Sequence, residues 1–159
     1  MRKSVLAICT LLILMTAMPA LSGDDAPFFD LENCAMCQNL MADPNLMAGL
    51  GWENHNVAGG MMTVTTFQTE AAMIAYAKAE AAMEAVAAQL MAGEDLYLCG
   101  FCQTAMGLMA EGAQREVVPF EGGVVTLMTA SDPETIQHIH SYCETINMEL
   151  QAMEAGMEG

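Results

Sequence analysis

The sequence predicts an α+β fold of two pseudo-symmetric α-β-β-α repeats, whose two hairpins form a four-stranded antiparallel sheet with helices packed on it. The prediction rests on a cysteine motif that occurs twice, a Gly-Gly pair that follows each copy, and a long amphipathic segment that closes each half. We therefore divide the chain into a signal peptide, residues 1–22, and a single domain, residues 23–159, made of repeats 30–93 and 94–159.

Each repeat begins with the cysteine motif, which reads C-x2-C-x3-M. The first copy consists of Cys34, Cys37 and Met41, and the second of Cys99, Cys102 and Met106. We expect each motif to open a helix that reaches about Leu50 in the first repeat and about Glu111 in the second. At about 100° per residue, the three sulfur atoms of a motif then lie within roughly 60° of one another on one helix face.

A β-hairpin is expected after each cysteine segment. Its strands are predicted at residues 52–57 and 61–67 in the first repeat, and at 115–120 and 124–128 in the second. The Gly-Gly pairs join the strands, because glycine adopts the positive φ angles that tight hairpin turns require. Pro119 has no N–H group to donate to a neighbouring strand, so its strand is predicted at a sheet edge.

A long helix is predicted to close each repeat. Thr69 is the expected cap of the first helix, which ends before Gly93. Its predicted buried stripe consists of Met73, Tyr76, Met83, Val86 and Leu90. The second helix begins at a capping sequence that contains Asp132 and Pro133. Its predicted buried stripe consists of Ile136, Ile139, Cys143, Ile146, Leu150 and Met153.

The first 22 residues are typical of a secretory signal peptide. Arg2 and Lys3 precede an apolar run, and small residues up to Ser22 suit cleavage before Gly23. The run is too short to span a bilayer. We expect the mature protein to be periplasmic or secreted.

The chain is strongly acidic, with a formal net charge of −16. Such a surface repels nucleic-acid phosphates and anionic lipid headgroups, so partners of these two kinds are not expected after the signal peptide is removed. No hydrolytic motif or phosphate-binding loop occurs either, which favours a binding protein over an enzyme.

The sulfur motifs suggest a metal ligand set. Polarizable thiolate and thioether donors select copper(I) over hard cations, so copper(I) is the expected metal for both motifs. Zinc is an alternative, in which all four cysteines form one tetrahedral site. Zinc modules usually separate their cysteine pairs by about 15 to 20 residues, whereas residues 38–98 lie between these pairs, so this alternative requires the fold to bring them together.

The sequence also allows two roles for the cysteines other than metal binding. In an oxidising compartment they can form structural disulfides that staple the domain. They can also take part in thiol–disulfide exchange, because a cysteine at a helix N-terminus has a lowered pKa. A Gly-Gly hairpin follows each C-x2-C motif here, however, which is not the βαβ setting of thioredoxin-like proteins.

The first repeat resembles the NosL family of copper-binding accessory proteins. Its Cys34, Cys37 and Met41, its glycine hairpin and the segment 73–76 carry the resemblance. The resemblance implies an exported factor that helps deliver copper to nitrous oxide reductase. Where that family has two aspartates and a cysteine, this chain has Gln68, Thr69 and Ala72, and it lacks the family's lipid-attachment site.

Possible additional ligands are His55, His140, Cys143, Met47 and Met109, although packing is the favoured role for the last three. The working hypothesis is an exported copper(I) chaperone, buffer or sensor. Its partners are the metal ion and a metallated or redox protein, since cysteines must be reduced to bind a metal.

Overall fold

The structure, a computed structural model, describes residues 26–157, so the predicted signal peptide lies outside the described residues. Along the chain the elements are α1 (Gln38–Met41), α2 (Pro44–Gly49), β1 (Leu50–Val57), β2 (Gly60–Phe67), α3 (Glu70–Met91), α4 (Gly100–Ala110), β3 (Gln114–Phe120), β4 (Gly123–Thr129) and α5 (Pro133–Met157). The predicted α+β class, with one four-stranded antiparallel sheet and packed helices, is confirmed.

The sheet has the strand order β1-β2-β4-β3, and every neighbouring pair is antiparallel. The hairpins of the two repeats meet where β2 pairs with β4, with Val64 opposite Val125. The strand order is thus symmetric about this seam. The strand that contains Pro119 is β3, which lies at an edge as predicted.

Two-residue loops close both hairpins. Val57 pairs with Gly60 across the first loop, and Phe120 pairs with Gly123 across the second. Gly122 lies in the second loop at φ +86°, a conformation that favours glycine, while Gly60 begins β2 at φ +148°. The first glycine of each predicted pair therefore lies in the loop, and the second begins the returning strand.

The cysteine segment of the first repeat differs from the prediction. A single helix to about Leu50 was expected, whereas α1 has only 4 residues and α2 has 6. Pro44 breaks the run, because proline lacks an N–H and disfavours helical backbone in the residue before it. Asp43 is accordingly extended, and its side chain accepts a hydrogen bond from the Asn45 N–H to cap α2.

Both long helices begin as predicted. Thr69 Oγ1 accepts a hydrogen bond from the Ala72 N–H at 3.1 Å, and Asp132 Oδ2 accepts one from the Thr135 N–H at 2.9 Å. These side chains satisfy N–H groups that a helix start leaves without partners.

The predicted stripe of α3 is partly wrong. Its fully buried residues are Ala72, Ala75 and Ala79, while Met73 is exposed. Small alanine side chains allow α2 to pack closely, and the buried Leu46 of α2 lies in one cluster with Ala75 and Ala79. The α5 stripe is confirmed at its centre. There, three predicted residues, Ile139, Cys143 and Ile146, are buried in the main core with Met61 and Leu108.

Candidate metal centre

The four cysteines of the two motifs form one cluster. Their sulfur atoms all lie within 4.8 Å of one another. Cys37 Sγ is 3.4 Å from Cys102 Sγ and 3.6 Å from Cys99 Sγ. All four residues are buried, and all are free thiols. The motifs, which were predicted as two ligand sets, therefore contribute their cysteines to one shared site.

Helix starts place three of these thiols. Cys99 is the N-cap of α4 with extended backbone, and Cys102 lies one helical turn further on, so both face the same side. Cys37 directly precedes α1, and Cys34 lies in the turn before it, where its carbonyl accepts the Gln38 N–H at 3.0 Å. The sequence predicted a helix start at both motifs, and this prediction is fully confirmed only for the second motif.

Hydrogen bonds join the two motifs. The Ala35 N–H donates to the Tyr97 carbonyl at 2.9 Å, which ties the first cysteine loop to the segment before Cys99. Gln103 Nε2 donates to the Leu98 carbonyl at 2.6 Å, and Gln38 Nε2 donates to the Ala35 carbonyl at 3.4 Å. Each motif thus has a glutamine after its second cysteine that braces the adjacent loop.

Residues 27–30 cover the start of α4. The Gly100 N–H donates to the Pro27 carbonyl at 3.1 Å, and the Phe101 N–H donates to the Phe28 carbonyl at 2.8 Å. Gly100 permits this approach, because a Cβ atom there would lie 3.2 Å from Phe28 Cα. Two N–H groups that a helix start leaves free are therefore satisfied by carbonyl groups.

The surroundings of the cluster are apolar. Leu31, Ala35, Met36, Leu90 and Phe101 pack against the four cysteines. The main groups that shift the pKa values of Cys34, Cys37 and Cys102 are the other thiols, backbone N–H groups and burial, with no lysine or arginine of the described residues among them. No basic side chain among these main groups therefore compensates the charge of a thiolate at this site.

The thiols differ in acidity. Hydrogen bonds from Cys102 and then Cys37 hold the pKa of Cys34 far below its usual range. The bonds to Cys34 and Cys37, together with burial, raise the pKa of Cys102. For Cys37, the bond with Cys102 lowers the pKa, but the bond with Cys34, burial and repulsion from neighbouring thiols outweigh it and raise the pKa. A thiolate at Cys34 is therefore stabilised by hydrogen bonds from neighbouring thiols.

The sulfur spacing fits a thiophilic ion. In a tetrahedral site with metal–sulfur bonds of about 2.3 Å, neighbouring sulfur atoms lie about 3.8 Å apart. The separations of 3.4 and 3.6 Å, and the 4.8 Å upper limit, span that value. Four buried sulfur donors in an apolar shell suit soft metals and leave no oxygen ligand for hard ones.

The predicted methionine ligands lie nearer the surface. The side chains of Met41 and Met106 are 49% and 39% exposed, and Met47 and Met109 are exposed as well. Their role as ligands stays a prediction. Met36, between the first two cysteines, packs directly against the cluster and was not among the predicted ligands. The position of Met36 inside the C-x2-C motif is the sequence feature that could have predicted this contact.

The other candidate ligands lie elsewhere. Cys143 belongs to the main core, as the packing interpretation predicted. His140 Nε2 is 2.9 Å from the Val57 carbonyl, and His55 Nε2 is 3.5 Å from Glu53 Oε2. Across residues 26–157, the four cysteines are the single group of three or more histidine, cysteine or acidic side chains that can hold a metal ion.

These observations define the class of the protein: an α+β protein with a buried four-cysteine cluster that can hold a metal ion. Comparison with protein-family models, with characterised proteins and with solved structures gives no match. Within the described part of the chain, no helix is both long and apolar enough to cross a bilayer.

Proposed function

We propose that the protein is an exported copper(I)-binding protein that acts as a chaperone, buffer or sensor. The observation that carries the proposal is the group of four buried thiols in an apolar shell, without a basic side chain among the main groups acting on them. Two thiolates around a monovalent ion leave a net charge of −1, whereas four thiolates around a divalent ion leave −2, and unpaired buried charge is costly.

Zinc is the second candidate, because the sulfur spacing matches a closed four-thiolate tetrahedron. The two functions differ in what happens when the metal is removed. A structural zinc site supplies folding free energy, so the metal-free protein unfolds. A copper carrier must remain folded without its cargo and must release the ion to a competing ligand.

The deciding experiment uses fully reduced, metal-free protein under anaerobic conditions. We expect it to keep its far-ultraviolet circular dichroism, to bind one equivalent of copper(I), and to yield that ion to a chromophoric copper(I) chelator. Loss of structure on metal removal, with zinc in the protein as purified, would establish the zinc function instead. Fewer than five free thiols in the mature protein, counted after metal removal and unfolding but before reduction, would support the disulfide or exchange alternatives.

Export and the link to copper delivery are parts of the same proposal. The predicted cleavage before Gly23 supports export, and the resemblance of the first repeat to the NosL family supports delivery of copper. N-terminal sequencing of protein recovered from the producing cell tests the first part. A mature chain that begins at Met1 contradicts it.

A further inference from the structure

One side of α4 carries a line of sulfur-containing side chains. From the N-cap of the helix to its last turn, at alternating spacings of three and four residues, they are Cys99, Cys102, Met106 and Met109. At about 100° per residue, these four positions lie within roughly 80° of one another around the helix. A different side of α4 packs into the main core, through Phe101, Ala105 and Leu108. The sulfur line therefore continues from the thiol cluster along a side of the helix that the main core does not use.

The exposure of the side chains rises along this line. Cys99 is 0% exposed, Cys102 is 7% exposed, and the two methionines reach 39% and 44%. Cys102 is also the most accessible of the four cluster cysteines, since Cys34 and Cys37 are 0% and 2% exposed. The line thus runs from the buried cluster to solvent, and Cys102 is the thiol at which it leaves the cluster. We call Met106 and Met109 the thioether pair.

Neighbouring sulfur atoms on this line are within reach of one another. Residues three or four apart on a helix have Cβ atoms about 5 to 6 Å apart. A methionine side chain has three rotatable bonds and adapts its position readily. Met106 can therefore bring its thioether toward Cys102 on one side and toward Met109 on the other. Burial in the core does not explain either methionine, because both are exposed.

The buried thiols need such an intermediate donor. A metal ion passes between two molecules most easily when the incoming donor binds it before the outgoing donor lets go. The cluster thiols are at most 7% exposed, so a bulky donor in solution has little access to them. An exposed thioether can contact an ion that another molecule still holds.

We propose that the thioether pair is an outer copper(I) site through which the ion enters and leaves the buried thiol cluster. This inference rests on the proposed function, and it adds a second, weaker site to it. Thioether sulfur is a soft donor that suits copper(I), and it carries no charge, so it holds the ion less tightly than a thiolate does.

The transfer step is an exchange of ligands without oxidation or reduction. Copper stays in the +1 state throughout. Its bonds to thioether sulfur break as bonds to thiolate sulfur form, first at Cys102, and each thiol that binds releases its proton to water. Release to a partner follows the same steps in reverse.

Stopped-flow transfer of copper(I) from a chromophoric chelator to reduced, metal-free protein tests the proposal. The absorbance trace gives the transfer rate, and its end point gives the share of copper that the protein binds. Met106→Leu with Met109→Leu should slow transfer about tenfold and leave the end point unchanged. Leucine has nearly the volume of methionine, so the fold should be kept. The matched control, Met73→Leu with Met148→Leu, removes two thioethers that are 45% and 62% exposed on α3 and α5, and it should transfer at the wild-type rate.

Nuclear magnetic resonance of protein labelled at the methionine methyl groups locates the outer site. With one equivalent of copper(I) already bound, further copper(I) should shift the two methyl signals that are missing from the Met106→Leu, Met109→Leu variant. Unchanged signals there, or a wild-type transfer rate in that variant, overturn the inference. A lower end point in that variant overturns it too, because the thioethers would then belong to the tight site. A wild-type chain that takes no copper(I) from the chelator contradicts the proposed function as well.

Discussion

The shared four-cysteine site predicts how many metal ions bind and how the two motifs depend on each other. Four sulfur atoms within 4.8 Å of one another surround one ion, so the chain should bind one equivalent tightly. If all four sulfur atoms hold the ion, replacing either motif, as Cys34→Ser with Cys37→Ser or Cys99→Ser with Cys102→Ser, should greatly weaken binding. Two independent sites would instead bind two equivalents and retain one in each variant.

The size of the effect follows from the number of ligands. Structural four-ligand sites release about 10 to 16 kcal/mol on binding zinc at neutral pH, or roughly 2.5 to 4 kcal/mol per ligand if shared evenly. Loss of two thiolates then costs about 5 to 8 kcal/mol, which is a factor of roughly 10⁴ to 10⁶ in affinity.

Competition titration with a chromophoric chelator measures this difference on reduced protein. Cys143→Ala is the matched control, because Cys143 is buried in the main core and outside the cluster. It should keep one tight equivalent while losing some stability. The reasoning is refuted if either double-serine variant remains folded and still binds one equivalent within tenfold of the wild-type affinity.

Three further predictions concern the structure around the site. Gly60→Ala should lower the free energy of unfolding by roughly 1 to 3 kcal/mol, because Gly60 has a positive φ and the new Cβ would collide with the Met128 carbonyl. Gly107→Ala should raise the free energy of unfolding by about 0.5 to 1 kcal/mol, because Gly107 lies inside α4 and the new Cβ would meet no atom within 4 Å. Chemical denaturation measures both changes, and the opposite order would contradict the hairpin geometry. The hydrogen bond that His138 Nδ1 donates to Glu111 Oε2 raises the pKa of His138, so this pair stabilises the fold below the unfolded pKa of about 6.5 and ceases to do so as pH rises through the folded value. His138→Gln should therefore lower the melting temperature at about pH 5.5 and leave it unchanged at about pH 9. An equal loss at both pH values would show that charge is not the cause. The ring of the single tryptophan, Trp52, lies 5.9 Å from the ring of Phe101, which packs on the cysteines, so metal binding should change the tryptophan fluorescence. Phe101→Leu should remove most of this fluorescence change while one equivalent of metal still binds. The same fluorescence change in the variant would show that Phe101 does not connect Trp52 to the site.

Local signals in the sequence were sufficient for most of the fold. The observed strands extend the predicted ones by at most two residues at either end, because Gly-Gly pairs mark the turns and alternating residues mark the strands. Thr69 and Asp132 cap the long helices as expected. The predicted stripe of α3 was partly wrong because an alanine-rich helix packs through its small residues, which hydrophobicity alone does not single out.

The sequence predicted the ligands of the site but not their arrangement. The cysteines and their soft-metal chemistry follow from the motif, but the convergence of the two motifs does not. It depends on the β2–β4 seam and on the hydrogen bond from Ala35 to Tyr97, which join residues far apart in sequence. Methionines at a fixed offset suggested ligands, yet Met41, at the end of α1, and Met106, in α4, are both exposed.

The same seam explains why the metal need not hold the repeats together. Seven residue pairs join β2 to β4, and the main core packs α5 against both hairpins without using the four cysteines. The halves of the thiol cluster are therefore held together by contacts that do not involve the thiols themselves. A site preorganised in this way lowers the entropic cost of binding and permits release without unfolding. Reversible binding of this kind is what a carrier of copper(I) requires, and it distinguishes the proposed function from a structural zinc site, where the ion itself completes the fold.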